Sequence, residues 1–407
     1  MKTSFLRNVF VSSGSTVLAQ MVPFIFSPII TRIYDPEVYG EYNTFLATVT
    51  VLVSISMFRF DFAIFTARKE GERIGLHGLC LLLILASATF SLLIISIVYL
   101  FAPGVPSIYW LLPVLLLMAA NTQLFNQIFI VNNEFWANGK RKVMQSLTFN
   151  LSATGLGFLN ANSLSLIIGQ AMSHVIVTIY SFRLFAGKLK EARRVSKAEL
   201  KALSRQFGEF PKKGVMSTAL NAFGSQSAIF LIPILFGLGP AGLYGFTVKL
   251  LYLPIQFIGR SISDSLFQRL SENITGMKRL FKMTTLSLFG LGIIPFSVLY
   301  FFGVDLFNFF FGEKWAEAGA YASILSPFFL VRFVFSPLIS FLTVLNKLSI
   351  ELRFNAIFLT GQLVALVLPY LMGGTVIESL IYTSVFGALA YLYLGFLILR
   401  IINQAEK

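Results

Sequence analysis

The sequence predicts an all-α integral membrane protein with about twelve transmembrane helices in two six-helix halves. Three observations carry the prediction: an apolar content that no soluble fold can bury, uncharged runs long enough to span a bilayer, and a pattern that returns at half-length. Of 407 residues, 56% are hydrophobic and 12% charged, against ~25% charged in a soluble domain. Mean hydropathy is +0.78. With lipid as the solvent, backbone polar groups must be satisfied within the chain, which leaves helices or a closed barrel. The apolar runs do not alternate and are far longer than the ~10 residues of a barrel strand, so they are helices.

The spans fall near 9–31, 42–65, 76–101, 108–132, 143–160, 164–185, 215–236, 242–265, 280–303, 317–345, 351–372 and 377–402. The first follows Lys2 and Arg7 without a clear cleavage site and is expected to stay attached. The fifth, with "SLTFNLSATGLGFL", is the richest in small and polar residues.

Sidedness tests the count. With the N-terminus inside, only Arg32 and Lys314 fall on outer segments, and Arg59, Lys249, Arg260 and Arg332 lie within spans. The other Lys and Arg, of 32 in all, fall on the inner side. The outer segments carry acids instead: Asp35, Glu37, Glu41, Asp305, Glu313, Glu317 and Glu378. One miscounted helix would invert every later loop, so this separation supports twelve spans with both termini cytoplasmic. The net charge of +14 follows from the same bias. It predicts attraction to anionic phospholipid at the cytoplasmic face and no nucleic-acid partner.

The longest charged segment, 186–213, holds nine basic residues and three acids. It is expected to be a basic cytoplasmic linker, with an interfacial amphipathic helix through "KAELKALSRQF". It separates an N-terminal half, 1–185, from a C-terminal half, 214–407. Tyr39-Gly40 returns as Tyr244-Gly245, an offset of 205, and Arg59 returns as Arg260, an offset of 201. "GKRKVMQSLTFN" (139–150) is echoed by "NKLSIELRFN" (346–355). Six spans per half give both halves the same sidedness, hence a parallel repeat with the substrate site expected between them. Two self-complete halves predict a monomer.

Ionisable groups in a span are costly and normally face protein or a wet cavity. Ideal helical spacing puts Lys249, Gln256, Arg260 and Asp264 on one face of the eighth span, with Arg260 and Asp264 spaced to pair and Pro254 allowing a kink. Arg332 lies at mid-depth in the tenth. Gln123, Asn126 and Gln127 share a face of the fourth. Ser12, Thr16, Gln20 and Ser27 line the first, Asn43 and Asp61 the second, and Asn221 the seventh. Lys249 has no partner four residues away and Arg332 at mid-depth has no obvious acid beside it on its helix, and these two are the principal candidates. Their sign favours an anionic guest, with phosphate the obvious group. Arg59 and Arg260, nearer the inner ends, have snorkelling as an equal alternative. His77 and His174 fit structural roles better than proton transfer.

Cys80 is the only cysteine, and no metal-ligand spacing, phosphate loop or nucleophile constellation occurs. No metal or cofactor is expected. The largest loop has no room for a catalytic domain, so the chain is expected to be a transporter and not an enzyme.

"TRIYDPEVYGEY" (31–42), "FRFDFAIFTA" (58–67) and "EFPKKGVMSTALNAFGSQ" (209–226) resemble motifs of bacterial polysaccharide-biosynthesis membrane proteins. These are the oligosaccharide-lipid flippases of the multidrug/oligosaccharidyl-lipid/polysaccharide superfamily, and the resemblance covers essentially the whole chain. It implies a V-shaped, MATE-like bundle of two lobes in the bacterial cytoplasmic (inner) membrane. It further implies movement of polyprenyl-pyrophosphate-linked oligosaccharide to the outer leaflet by alternating access, for O-antigen, capsule or exopolysaccharide assembly. Polysaccharide polymerase and glycosyltransferases are implied partners. Carried onto this chain, the pyrophosphate falls to Lys249 and Arg332, then Arg260 and Arg59. The sugars fall to Gln20, Asn43, Gln123, Asn126, Gln127, Asn221 and Gln256. Ion coupling, where relatives use a cavity carboxylate, falls to Asp61 or Asp264. The rival readings are a cation-coupled drug exporter of the same fold, which would want deep acids, and a non-transporting scaffold for glycan-assembly enzymes, supported only by the basic linker.

Overall fold

The computed structural model describes residues 2–102, 104–187, 191, 195–272 and 276–406. Among them there is no strand. The helices are α1 (Lys2–Ile33), α2 (Pro36–Ser56), α3 (Phe60–Thr66), α4 (Glu70–Phe101), α5 (Leu112–Val131), α6 (Phe135–Leu159) and α7 (Ser163–Leu184). The short α8 (Lys197–Gln206) precedes α9 (Glu209–Phe236) and α10 (Leu238–Pro254). A π-helical turn (Ile255–Gly259) joins α10 to α11 (Arg260–Glu272). Then come α12 (Met277–Phe311), α13 (Ala316–Phe335), α14 (Ile339–Val344), α15 (Leu348–Leu371) and α16 (Val376–Ala405).

Among the described residues nine helices are long and apolar enough to cross a membrane, or ten when α2 and α3 are joined across their 48° bend. The chain is therefore a multi-pass membrane protein, but the expected twelve spans are not reached on this criterion. The difference is at the first and fifth positions. In α1 the continuously described side chains begin at Leu18, and Leu18–Ile33 is apolar but shorter than a span, whereas α6 is itself rich in small and polar residues. Those residues serve close packing. Tyr34 Oη donates to Ala153 O at 2.7 Å, and Ser146 Oγ donates to Ala19 O at 2.6 Å. Small residues let helix backbones approach closely in a membrane.

Contacts divide the chain into two compact units, Met1–Tyr34 with Glu41–Gln226, and Asp35–Gly40 with Ser227–Lys407. Two of the three divisions fall inside helices. The first turn of α2 belongs to the second unit while the remainder belongs to the first, and α9 is divided at Gln226. The basic segment contributes α8 to the first unit; its residues 188–190 and 192–194 lie outside the described residues. A capping box opens α8, with Ser196 N donating to Glu199 Oε2 at 2.8 Å and Glu199 N to Ser196 Oγ at 3.2 Å. Its other end is tied to α4, where Gln206 Nε2 donates to Glu72 Oε1 at 3.2 Å.

The repeat is visible in the backbone. Asn133 (φ +60°) precedes α6 and Asn346 (φ +54°) precedes α15. Asn133 N–H donates to Ile130 O and Glu134 N–H to Phe129 O; Asn346 N–H donates to Thr343 O and Lys347 N–H to Leu342 O. Both are the same two-bond helix stop around a left-handed residue, a conformation asparagine tolerates.

Candidate functional site

In the second unit Arg332 sits near the C-terminal end of α13, half-buried, among four rings from four helices. Its guanidinium carbon lies 4.6 Å from the Tyr252 centroid (α10), 5.4 Å from Tyr391 (α16), 5.7 Å from Phe328 (α13) and 5.9 Å from Phe358 (α15). The rings brace one another, Phe358 meeting Tyr391 edge-on at 5.3 Å. Among the described residues the guanidinium has no carboxylate and no hydrogen-bond partner. Ring faces attract a cation through their quadrupole and accept none of its N–H groups in the way an oxygen would. Arg332 is thus stabilised without a competing anion, and its fork of donors stays open to a phosphate or carboxylate.

Lys249 shares a face of α10 with Tyr252, three residues on. Its Nζ donates to Tyr39 Oη at 3.4 Å. Lys249 and the Arg332 cage therefore meet on one helix face, with Gln256, exposed, one turn further along. The expectation that Arg260 and Asp264 continue that face does not hold. Pro254 has no N–H to donate, and the π-helical turn that follows it absorbs an extra residue. Everything beyond is rotated by ~100° relative to an unbroken α-helix. Arg260 and Asp264 are both exposed, and no ion pair joins them.

The matching place in the first unit is built differently. The α2–α3 break puts Phe58 (φ +49°) and Arg59 (φ +67°) in the left-handed region, a strained choice for two side-chain-bearing residues. Arg59 stacks 3.8 Å over Phe62. Asp61, 2% exposed, accepts from Gln123 Nε2 at 3.3 Å. Gln123, expected on a sugar, is engaged inside the protein. So is Asn126, whose Oδ1 accepts from Arg141 Nη2 at 3.2 Å and from Asn138 Nδ2 at 3.1 Å.

Arg141 was not among the expected residues. It is 3% exposed. Its Nε and Nη2 donate to Asn138 Oδ1 at 3.1 and 3.0 Å, and its Nη1 reaches Thr122 O at 3.5 Å. A second amide set surrounds His174, with Thr122 Oγ1 2.8 Å and Gln145 Nε2 3.3 Å from Nδ1, and Gln170 Nε2 3.1 Å from Nε2. The histidine is buried, with both ring nitrogens engaged.

Of the remaining candidates, Gln20 Oε1 and Asn43 Nδ2 are buried without a hydrogen-bond partner among the described residues, which is unusual for buried polar atoms. Gln127 is buried and Asn221 exposed. The side chains of Ser12 and Thr16 lie outside the described residues.

A family model described as polysaccharide biosynthesis protein matches residues 5–274. No curated protein matches the chain. Among solved structures, it is similar to the lipid II flippase MurJ in an inward closed conformation, with TM-score 0.71 and 15% identity over 96% of this chain and 87% of that one. It is similar to an inward-facing multidrug resistance MATE family transporter of the MOP superfamily, with TM-score 0.71 and 11% identity over 95% and 96%. It is also similar to a MOP superfamily transporter from Pyrococcus furiosus, described by the reverse polarity of its binding pocket, with TM-score 0.64 and 12% identity over 98% and 96%. At these identities the likeness shows a shared fold.

Proposed function

The chain belongs to the polysaccharide biosynthesis protein family, and on that footing we propose that it is a flippase for polyprenyl-pyrophosphate-linked oligosaccharide. It moves the headgroup from the cytoplasmic to the outer leaflet of a bacterial inner membrane, with both termini inside, for O-antigen, capsule or exopolysaccharide assembly. The observation that carries this reading is Arg332: a cation inside the helices, held by four π faces, with every N–H uncommitted among the described residues.

A pyrophosphate arriving at Arg332 gains two parallel N–H···O bonds without displacing a carboxylate. Lys249, on the same face of α10 as Tyr252, adds a second charge. The unsatisfied amides of Gln20 and Asn43 suit sugar hydroxyls. Asp61 is already enclosed with Gln123, and Asp264 faces outward from its helix, so neither fits a deep ion-coupling carboxylate. That weighs against the cation-coupled exporter.

The test is glycan export in cells, with protein level measured in parallel. Arg332→Ala is expected to abolish export at unchanged protein level, with lipid-linked oligosaccharide accumulating on the inner leaflet. Full export in that variant would sink the reading, and loss of transport would exclude a scaffold role.

A further inference from the structure

The basic segment ends in α8, a polar helix docked on the first unit by one edge. Helical spacing puts Leu200, Leu203 and Phe207 along that edge, and all three are half-buried. Leu203 seats on α4 at Gly75, where a methyl group would collide with Leu203 Cδ1 and lie 3.8 Å from Val195 Cγ1. A glycine is what leaves room for the seat. Beside it, Gln206 Nε2 donates to Glu72 Oε1 at 3.2 Å. Glu72 lies in the first turn of α4, and α4 carries no Asp, Glu, Lys or Arg beyond Arg73. α8 is therefore fixed across the end of a span, at the depth where hydrocarbon gives way to headgroups.

Another face of α8 carries Lys197, Lys201 and Arg205. They are spaced i, i+4 and i+8, within ~80° of arc, and all are exposed. The acids nearby are spent on other groups. Glu199 Oε2 accepts from Ser196 N and Ser196 Oγ at 2.8 and 3.1 Å. Glu72 Oε2 accepts from the main-chain N–H groups of Arg68 and Lys69 at 3.3 and 3.4 Å, and its Oε1 is taken by Gln206. Among the described residues no ion pair reaches Lys197, Lys201 or Arg205. On a soluble protein such a row would be a solvated face. Here the Gly75 seat holds it beside the bilayer, where basic residues are drawn to anionic headgroups.

We propose that α8 is a binding helix for anionic phospholipid. Leu203 and Gln206 hold it at the end of α4, and Lys197, Lys201 and Arg205 take phosphodiester groups of the adjoining leaflet. Under the orientation proposed above, that leaflet is the cytoplasmic one. The inference does not depend on what the chain transports.

The test uses the full chain in lipid vesicles, with a nitroxide on Ala198→Cys in a Cys80→Ala background. Ala198 is exposed and flanks the cationic row. Collision of the nitroxide with a neutral, water-soluble nickel chelate is measured in phosphatidylcholine with and without phosphatidylglycerol. Phosphatidylglycerol is expected to lower the collision rate at least about twofold, and about 1 M salt to erase the difference. Lys197→Gln/Lys201→Gln/Arg205→Gln is expected to remove it at low salt. Lys278→Gln/Arg279→Gln/Lys282→Gln, at the start of α12, is expected to keep it. Should the α8 triple variant fail to fold, each single variant is expected to remove part of the effect, and the salt series on the parent still decides. A collision rate indifferent to phosphatidylglycerol overturns the proposal, as does an effect that the α8 variants leave whole. Equal protection by millimolar inorganic phosphate in phosphatidylcholine alone also overturns it, because the row would then be a site for soluble anions.

Discussion

Among the described residues Arg332 and Arg141 both sit among helices without a carboxylate partner, yet they are held in opposite ways. Arg332 is bounded by four rings and keeps its N–H groups open. Arg141 commits its N–H groups to Asn138, Asn126 and a Thr122 carbonyl, and is almost wholly covered. A π face offsets charge without using donors; an amide oxygen uses them. The first arrangement leaves a cation ready to bind, and the second turns a cation into a structural bolt between α5 and α6. Position in the membrane does not separate the two roles. The identity of the counter-group does.

That contrast can be broken, beginning with the largest expected effect. Arg141→Met leaves the Asn138 carbonyl without its donor and Asn126 with Asn138 Nδ2 alone, and is expected to destabilise the protein by ~3 kcal/mol. A thermal unfolding series in detergent measures it, and Arg141→Lys recovers little because an ammonium cannot fork to both amides. A variant of full stability that fails only in transport would reverse the assignment. Arg332→Ala is expected to leave the unfolding midpoint within a few degrees and to reduce transport about a hundredfold, ~2.7 kcal/mol. Arg332→Lys restores charge without the bidentate fork, and a loss of about tenfold is expected.

Smaller effects sharpen the comparison. Tyr252→Leu and Tyr391→Leu each remove one π face, worth ~1 kcal/mol, and are expected to weaken pyrophosphate binding by a few fold in calorimetry. The corresponding Phe variants are expected to bind as the parent does. Asp61→Asn keeps a hydrogen-bonding partner for Gln123 and is expected to change stability by less than ~1 kcal/mol. Export in that variant is expected to stay within about twofold of the parent, because the carboxylate is enclosed by its partner.

The fold was largely legible because bilayer constraints act on long stretches at once. Run length and charge sidedness located helices such as α4, α12 and α16 to within a few residues at most ends. The family was legible from the turn motif around Tyr39-Gly40. Arg332 stood out because a charge in an apolar run is anomalous. The rings around it did not, since 44 phenylalanines and 14 tyrosines give no sign of which four converge. Arg141 was hidden for the opposite reason. It stands in the basic run "GKRK" and counts as an inner-face cation, whereas α6 starts eight residues before the expected 143 and carries Arg141 inside it. Asn138, one turn away, and Asn126 across the α5–α6 turn were the available signals. Pro254 foretold a break in its helix but not the phase change that turns Arg260 and Asp264 aside.

α6 falls short of spanning hydropathy and is packed on α1 through Tyr34–Ala153 and Ser146–Ala19. During synthesis α1 leaves the ribosome more than a hundred residues before α6. The helix that lipid alone accepts poorly therefore emerges after the partner on which it packs, and its place in the membrane is set by docking on α1 as much as by partition into lipid. Substitutions that make α6 more apolar would insert it sooner while removing the groups that dock it, so efficient biogenesis and a correctly assembled first unit pull the α6 sequence in opposite directions.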